Sequence, residues 1–285
     1  MATEVFMRTQ LLLSTVALAL LAATSCSSGP QPPQPGTPAF LWNAAKTTWH
    51  SGDFEKTSET LQQLVKSDSE YSARSLPWSI VVLGGISQGY AATADAYETG
   101  ARANHANPMP FRKEANQLRS LATSASLEFA QEVHLYLDKD KQPEVTLAFD
   151  FPTGSASEPP NIRKITSGAW IQDSERESFL RGMLQRGVVL SASRAAGSPD
   201  DPAKATEVLK TGEAKRPRTD FQFGLAKQLF DRSDLFIATK LDHPGRMRLL
   251  CQQALDALQG VPETKDTKAL TAKIQAALKK IKATT

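Results

Sequence analysis

Along this chain the spacing of apolar positions changes several times, and each change marks a different element. Leu11 to Ala23 is a largely apolar run of thirteen, with Arg8 as the single basic residue ahead of it. A helix needs about 20 apolar residues to cross a hydrocarbon core, so this run is too short to span one. A basic head, an apolar middle and the small residues Ala23, Thr24 and Ser25 form the pattern of a secretory signal. Ser27 to Pro38 then carries no charge and holds five prolines in twelve residues. Such a stretch cannot bury a core and reads as a tether, about 35 Å long in polyproline geometry.

Helical spacing begins near Ala39. Residues Ala39 to Leu64 predict two helices around Ser51-Gly52-Asp53: Gly52 permits a positive φ and Asp53 can cap the second helix. Phe54, Leu61, Leu64 and Val65 form that helix's inner face. Pro77 to Asn104 reads as an alanine- and glycine-rich helix. Gly84, Gly85 and Gly89 each cost about 1 kcal/mol relative to alanine there, which points to close helix approach. Phe111 to Leu137 keeps Phe111, Ala115, Leu118, Ala122, Phe129 and Val133 on one stripe.

Between Gln142 and Ile171 the period falls to two. Val145, Leu147, Phe149 and Phe151 alternate with Thr146, Ala148 and Asp150, and Pro152, Gly154 and Pro159-Pro160 mark a loop. The stretch is open to three readings: a short hairpin, a lid across a helical groove, or a plug of phenylalanines in the core. A weak repeat with a spacing of 42 comes next, pairing Phe179, Gly182, Ser191, Ala196, Asp200 and Pro202 with Phe221, Gly224, Ser233, Ala238, Asp242 and Pro244. Proline suits a first helical turn, so each Asp-x-Pro opens a helix. Met247 to Leu258 then carries a clean helical stripe. Asp266 to Lys282 reads as a basic amphipathic helix, suited to cap a stack of helices and also able to lie on anionic lipid.

Two stretches resemble known families. Ala23-Thr24-Ser25-Cys26, at the end of the apolar run, is similar to the lipobox of bacterial lipoprotein precursors, although Ala23 stands where leucine is usual. The resemblance implies cleavage before Cys26, acyl chains such as palmitate on that residue, and attachment to a membrane. Ser27, in place of aspartate, implies the outer membrane facing the periplasm. Ordinary cleavage near Ala22 or Ala23 would instead release a soluble secreted protein. Residues 39–64 resemble a tetratricopeptide repeat. Ala45 is at the family's small position, Trp49 near its aromatic position and Gly52-Asp53-Phe54 at its turn, while Thr57 replaces an alanine and the closing proline is missing.

Composition bounds the rest. Removing residues 1–25 takes away one arginine and one glutamate and leaves the net charge at +3. The charge is uneven: residues 39–160 carry 10 basic and 15 acidic side chains, and residues 161–285 carry 22 and 14. With Cys26 acylated, Cys251 has no disulfide partner, and its apolar stripe marks it as a small buried hydrophobe.

Motifs for chemistry are missing. His50, His105, His134 and His243 have no second ligand at zinc spacing. VLGGISQG lacks a phosphate loop's ending, and LDKDKQPE lacks the glycine and closing glutamate of a calcium loop. Glu175/Glu177 and Asp200/Asp201 look like helix starts, and Lys215-Arg216-Pro217-Arg218 a solvated loop or a contact for an acidic partner.

The expectation is therefore an all-α fold, a TPR-like helical-hairpin solenoid with one extended or β segment near residues 143–171. Residues 1–25 are the signal, 26–38 the tether and 39–285 the helical body, with a sub-boundary near 140–172. No enzyme, cofactor, metal or nucleic acid is expected. The function expected is a membrane-tethered scaffold for an envelope protein or peptide, with Phe149, Asp150, Phe151 and Trp170 as contacts. A transport-accessory subunit resembling the T component of tripartite periplasmic transporters is the alternative, and an envelope hydrolase comes third.

Overall fold

The computed structural model describes residues 33–199 and 201–284. The signal segment, Cys26, the first part of the tether and Asp200 lie outside the described residues. The described chain is mostly helical, with one two-stranded sheet.

The first two helices form the expected hairpin. Helix α1 (Pro38–Ser51) starts with proline at its first turn, and the side chain of Thr37 accepts the Phe40 N–H at 3.3 Å. Gly52 ends it at φ 75°, and Asp53 caps α2 (Phe54–Lys66) by accepting the Lys56 N–H. Ala45, Trp49, Phe54, Leu61 and Leu64 are all buried. Thr57, the departure from the repeat pattern, is also buried. Its hydroxyl satisfies itself on the Asp53 carbonyl at 2.8 Å and on Thr48 Oγ1 at 2.9 Å.

Helix α3 (Glu70–Ala103) is the axis of the molecule. It begins seven residues earlier than its glycine- and alanine-rich pattern suggests and carries Pro77 inside it. An interior proline costs about 3 kcal/mol. Tertiary packing offsets that cost, because Tyr71 lies against Trp42 of α1 at 5.4 Å and Pro77 itself is buried. Helices α2, α4 (Met109–Lys139), α5 (Ile162–Thr166) and α6 (Asp173–Ala195) all pack on α3. The helices are thus gathered around one long member. The α4 stripe from Phe111 to Val133 is buried as its spacing predicts.

The glycines of α3 do what their cost suggested. A Cβ on Gly85 would fall 2.4 Å from the Val188 Cα of α6, and one on Gly187 would fall 2.1 Å from the Gly85 carbonyl oxygen. Backbone meets backbone there, which only paired glycines allow.

The extended segment is β1 (Glu144–Leu147). Its partner is not within 143–171 but is β2 (Ala214–Pro217), antiparallel, with Glu144 opposite Pro217 and Leu147 opposite Ala214. The basic run read as a loop is therefore in part a strand, too short and too charged to show a period of two. After Leu147 the alternation stops: Ala148 and Phe149 are both buried. Phe149 fills the space between Trp49, at 5.5 Å, and Trp78, at 5.9 Å. It is the core plug of the three readings, and burying such a ring stabilises by about 1.5–3 kcal/mol.

The repeat spacing corresponds to two helix pairs. Helix α6 is followed by α7 (Pro202–Leu209), and α8 (Arg218–Ser233) by a 3₁₀ turn (Asp234–Phe236) and then α9 (Pro244–Ala257). Phe179 and Phe221 are buried alike, and Pro202 and Pro244 open their helices. The caps are the residues between Asp and Pro: Asp201 accepts from Lys204 N–H and His243 from Arg246 N–H. The last helix, α10 (Lys265–Thr284), lies on α9 and α8 through Leu270 and Ile274. No helix among the described residues is long and apolar enough to cross a membrane.

Candidate binding groove

Because the paired glycines seat α6 against α3, one edge of α6 is left beside the α1–α2 turn. Glu177, Leu180, Arg181 and Leu184 recur at i, i+3, i+4 and i+7 along that edge and face Ser51, Gly52, Asp53, Phe54 and Glu55. Between them lies a hollow of about 360 Å³. Toward the start of α6, Asp173, Arg176, Glu177 and Leu180 line a second hollow of about 210 Å³ with Thr93, Tyr97, Glu114 and Leu118. The two share Glu177 and Leu180 in their linings and follow one another along α6, and together they are called the groove.

Its floor is apolar and its rim charged. Phe54, Leu118, Phe179 and Leu184 are buried. On the rim Arg181 pairs with Glu177 at 3.0 Å, and Arg176 with Asp173 at 3.5 Å and Glu114 at 3.8 Å. Tyr90, buried beneath on α3, donates its hydroxyl to Glu55 Oε1. Burial pushes the Tyr90 phenol well above its ordinary range, and the neighbouring Glu55 carboxylate adds to the shift. Tyr97 is pushed up to about 12, mainly by burial.

The residues expected as contacts fall in two places. Trp170 is 42 % exposed outside the lining of the groove, edge-on to Phe111 at 5.1 Å and close to Tyr97 at 5.8 Å, with the Arg176 guanidinium 5.6 Å from its ring. Phe149 is a core side chain. The Asp150 carbonyl accepts the Trp49 indole N–H at 3.1 Å, its carboxylate lies 3.4 Å from His50 Nδ1, and Phe151 is half-buried against the core. No ring contact or hydrogen bond among the described residues joins Trp170 to 149–151. The groove residues Glu55, Tyr90 and Arg181 carry no motif in the sequence. The one available signal is that the α6 edge mixes leucines with charges at helical spacing.

A second charged hollow, of about 210 Å³, lies where the 237–243 loop meets α3. Lys240 bridges Asp234 at 2.8 Å and Asp95 at 3.0 Å; burial lowers its pKa, but the two carboxylates outweigh that and leave it raised. Arg232 is buried beside them, and burial brings its pKa down to about 10. These charges largely neutralise one another and fasten the loop. Cys251 is fully buried with its thiol pushed up by burial, as expected of a packed hydrophobe. No cluster that could hold a metal ion is found among the described residues. Compared with known proteins, the chain matches no family model, no curated protein and no solved structure.

Proposed function

We propose that the protein is a lipid-anchored envelope protein, held through Cys26 to the outer membrane, that acts without catalysis by binding a segment of another protein in its α6 groove. The observation that carries this reading is the groove: an apolar floor beside a charged rim, with the half-exposed Trp170 against Tyr97 and Arg176 of its lining. Such surfaces suit a peptide, whose side chains use the floor and the rim alternately. The α1–α2 hairpin, with its buried small and aromatic positions and glycine turn, supports a tetratricopeptide-like origin for that part of the body. The prolines beyond it would let the helical body stand away from the membrane.

Photocrosslinking in the native envelope tests the reading. A photoreactive residue at position 181 should capture a defined protein, whereas one at the exposed position 259 should not. Cys26→Ala should move the protein to the soluble fraction. A chain that stays membrane-bound after that substitution overturns the anchor, and equal capture at both positions overturns the groove.

A further inference from the structure

Resting on that binding reading, we propose that the groove selects a basic, extended segment, with a lysine or arginine head held at Glu55 and its stem lying over Phe54, Leu180 and Leu184. The charge of the lining is the first argument. Asp53, Glu55, Glu114, Asp173 and Glu177 line the two hollows with Arg176 and Arg181, a net charge of −3 for the lining and −2 with Lys56, which pairs with Asp53 from outside it. Both arginines are already engaged with Glu177, Asp173 and Glu114, and Lys56 takes Asp53 at 3.4 Å.

Glu55 differs from the other four acids. No basic side chain among the described residues pairs with it; its partner is the hydroxyl of Tyr90. A phenol orients a carboxylate and strengthens the hydrogen bond, but it leaves the negative charge in place. The chain thus holds an oriented, unneutralised carboxylate at the border of an apolar floor. Lysine and arginine match that combination, because they lay an aliphatic stem on apolar surface while the cation stays at its edge. An acidic segment would meet net repulsion from the rim.

The shape argues for an extended segment. From Asp173 to Leu184 the α6 edge rises about 16 Å, the reach of about five residues in extended conformation. Alternate side chains of such a segment would meet the floor and the rim in turn.

Fluorescence anisotropy with the mature, full chain tests this. The probes are two labelled hexapeptides, one alternating leucine with lysine and the other leucine with glutamate. The lysine peptide should bind and the glutamate peptide should not, and raising salt should weaken the complex. Glu55→Gln, an exposed isosteric change, should weaken binding about tenfold, and Tyr90→Phe should weaken it by a smaller factor. Arg181→Glu should tighten it. Equal binding of the two peptides overturns the proposal, and so does a Glu55→Gln chain that binds like the unaltered one. If position 181 still captures a protein partner in the envelope after Glu55→Gln, as strongly as before, the basic-segment proposal falls while the binding reading stands. If position 181 captures nothing in the unaltered chain while the lysine peptide binds as described, the groove's selectivity stands and the envelope reading falls.

Discussion

Helix α3 meets its two largest neighbours by different means. Against α6 it presents backbone: Gly85 and Gly89 lie under Val188 and Leu184, and Gly187 lies over Gly85. Against α4 (Met109–Lys139) it presents polar side chains. Ser79 Oγ donates to Glu132 Oε1 at 2.9 Å, and Ser87 and Ser126 share a bond of 2.6 Å. The glycine contact is set by shape and has no titrating group in it. The other includes a buried carboxyl, so its strength depends on pH.

The largest effect is expected where the backbones touch. Gly187→Val would drive a Cβ to 2.1 Å from the Gly85 carbonyl oxygen and 2.9 Å from the Gly89 nitrogen. Neither atom can turn away as a side chain would. Overpacking usually costs about 1–3 kcal/mol, and this site should reach the top of that range or about 4. Urea denaturation reads the loss. Gly224 is a control on α8, because its Cβ would meet only the Arg194 carbonyl oxygen, at 3.8 Å. Gly224→Ala should stabilise by up to about 1 kcal/mol through helix propensity. A stabilising Gly187→Val would mean that the helices are not held by this contact.

On the opposite side the carboxyl of Glu132 is pushed up to about 7 from an ordinary 4.5. Burial is the main cause; Glu128 adds to the shift, while the Ser79 hydrogen bond and Lys66 oppose it. Its second oxygen has no partner. The sign comes from linkage: the folded chain keeps its proton between pH 4.5 and 7 where the unfolded chain has lost it. Stability is therefore highest at or below the lower value and declines as pH rises through the upper one, by about 3 kcal/mol in total. Glu132→Gln should remove most of that decline, leaving stability near that of the native chain at pH ~5 and higher by ~2–3 kcal/mol at pH ~9. Denaturation midpoints across that range check it. If the native chain shows no loss on the alkaline side, Glu132 is better solvated than its burial implies.

The same two sides show what could be read from the sequence. Periodicity was enough for α4, α9 and α10, because each buries one clean stripe. The glycines of α3 could be read too, since three in mid-helix have no local use and demand a neighbour. The identity of that neighbour could not, because Gly187 is an ordinary helical glycine until Gly85 lies beneath it. β2 was hidden for a similar reason: Ala214–Pro217 shows no apolar alternation in its sequence, and its pairing with residues 144–147 comes from the surrounding fold. Of the site, Trp170 was visible as an aromatic residue in a loop. Glu55 gains its role only from Tyr90, which stands 35 residues away on another helix.

The smallest prediction separates the two kinds of polar contact within the α3–α4 interface. Ser126→Ala deletes two bonds, to Ser87 and to the Ala122 carbonyl oxygen at 2.6 Å, and leaves Ser87 Oγ, 3.4 Å from that carbonyl, to take up the second, for a net loss of one. Losing one neutral hydrogen bond costs about 1 kcal/mol, and alanine's better helix propensity returns part of it. Nothing titrates in this pair, so the loss should be the same at pH ~5 and ~9, unlike the response of Glu132→Gln. Measured on the same denaturation series, a Ser126→Ala loss that grows with pH would show that the hydroxyls of α3 and α4 respond together with the carboxyl. The pH dependence would then belong to the whole interface, and the contrast with the glycine side would be one of helix faces and not of a single buried acid.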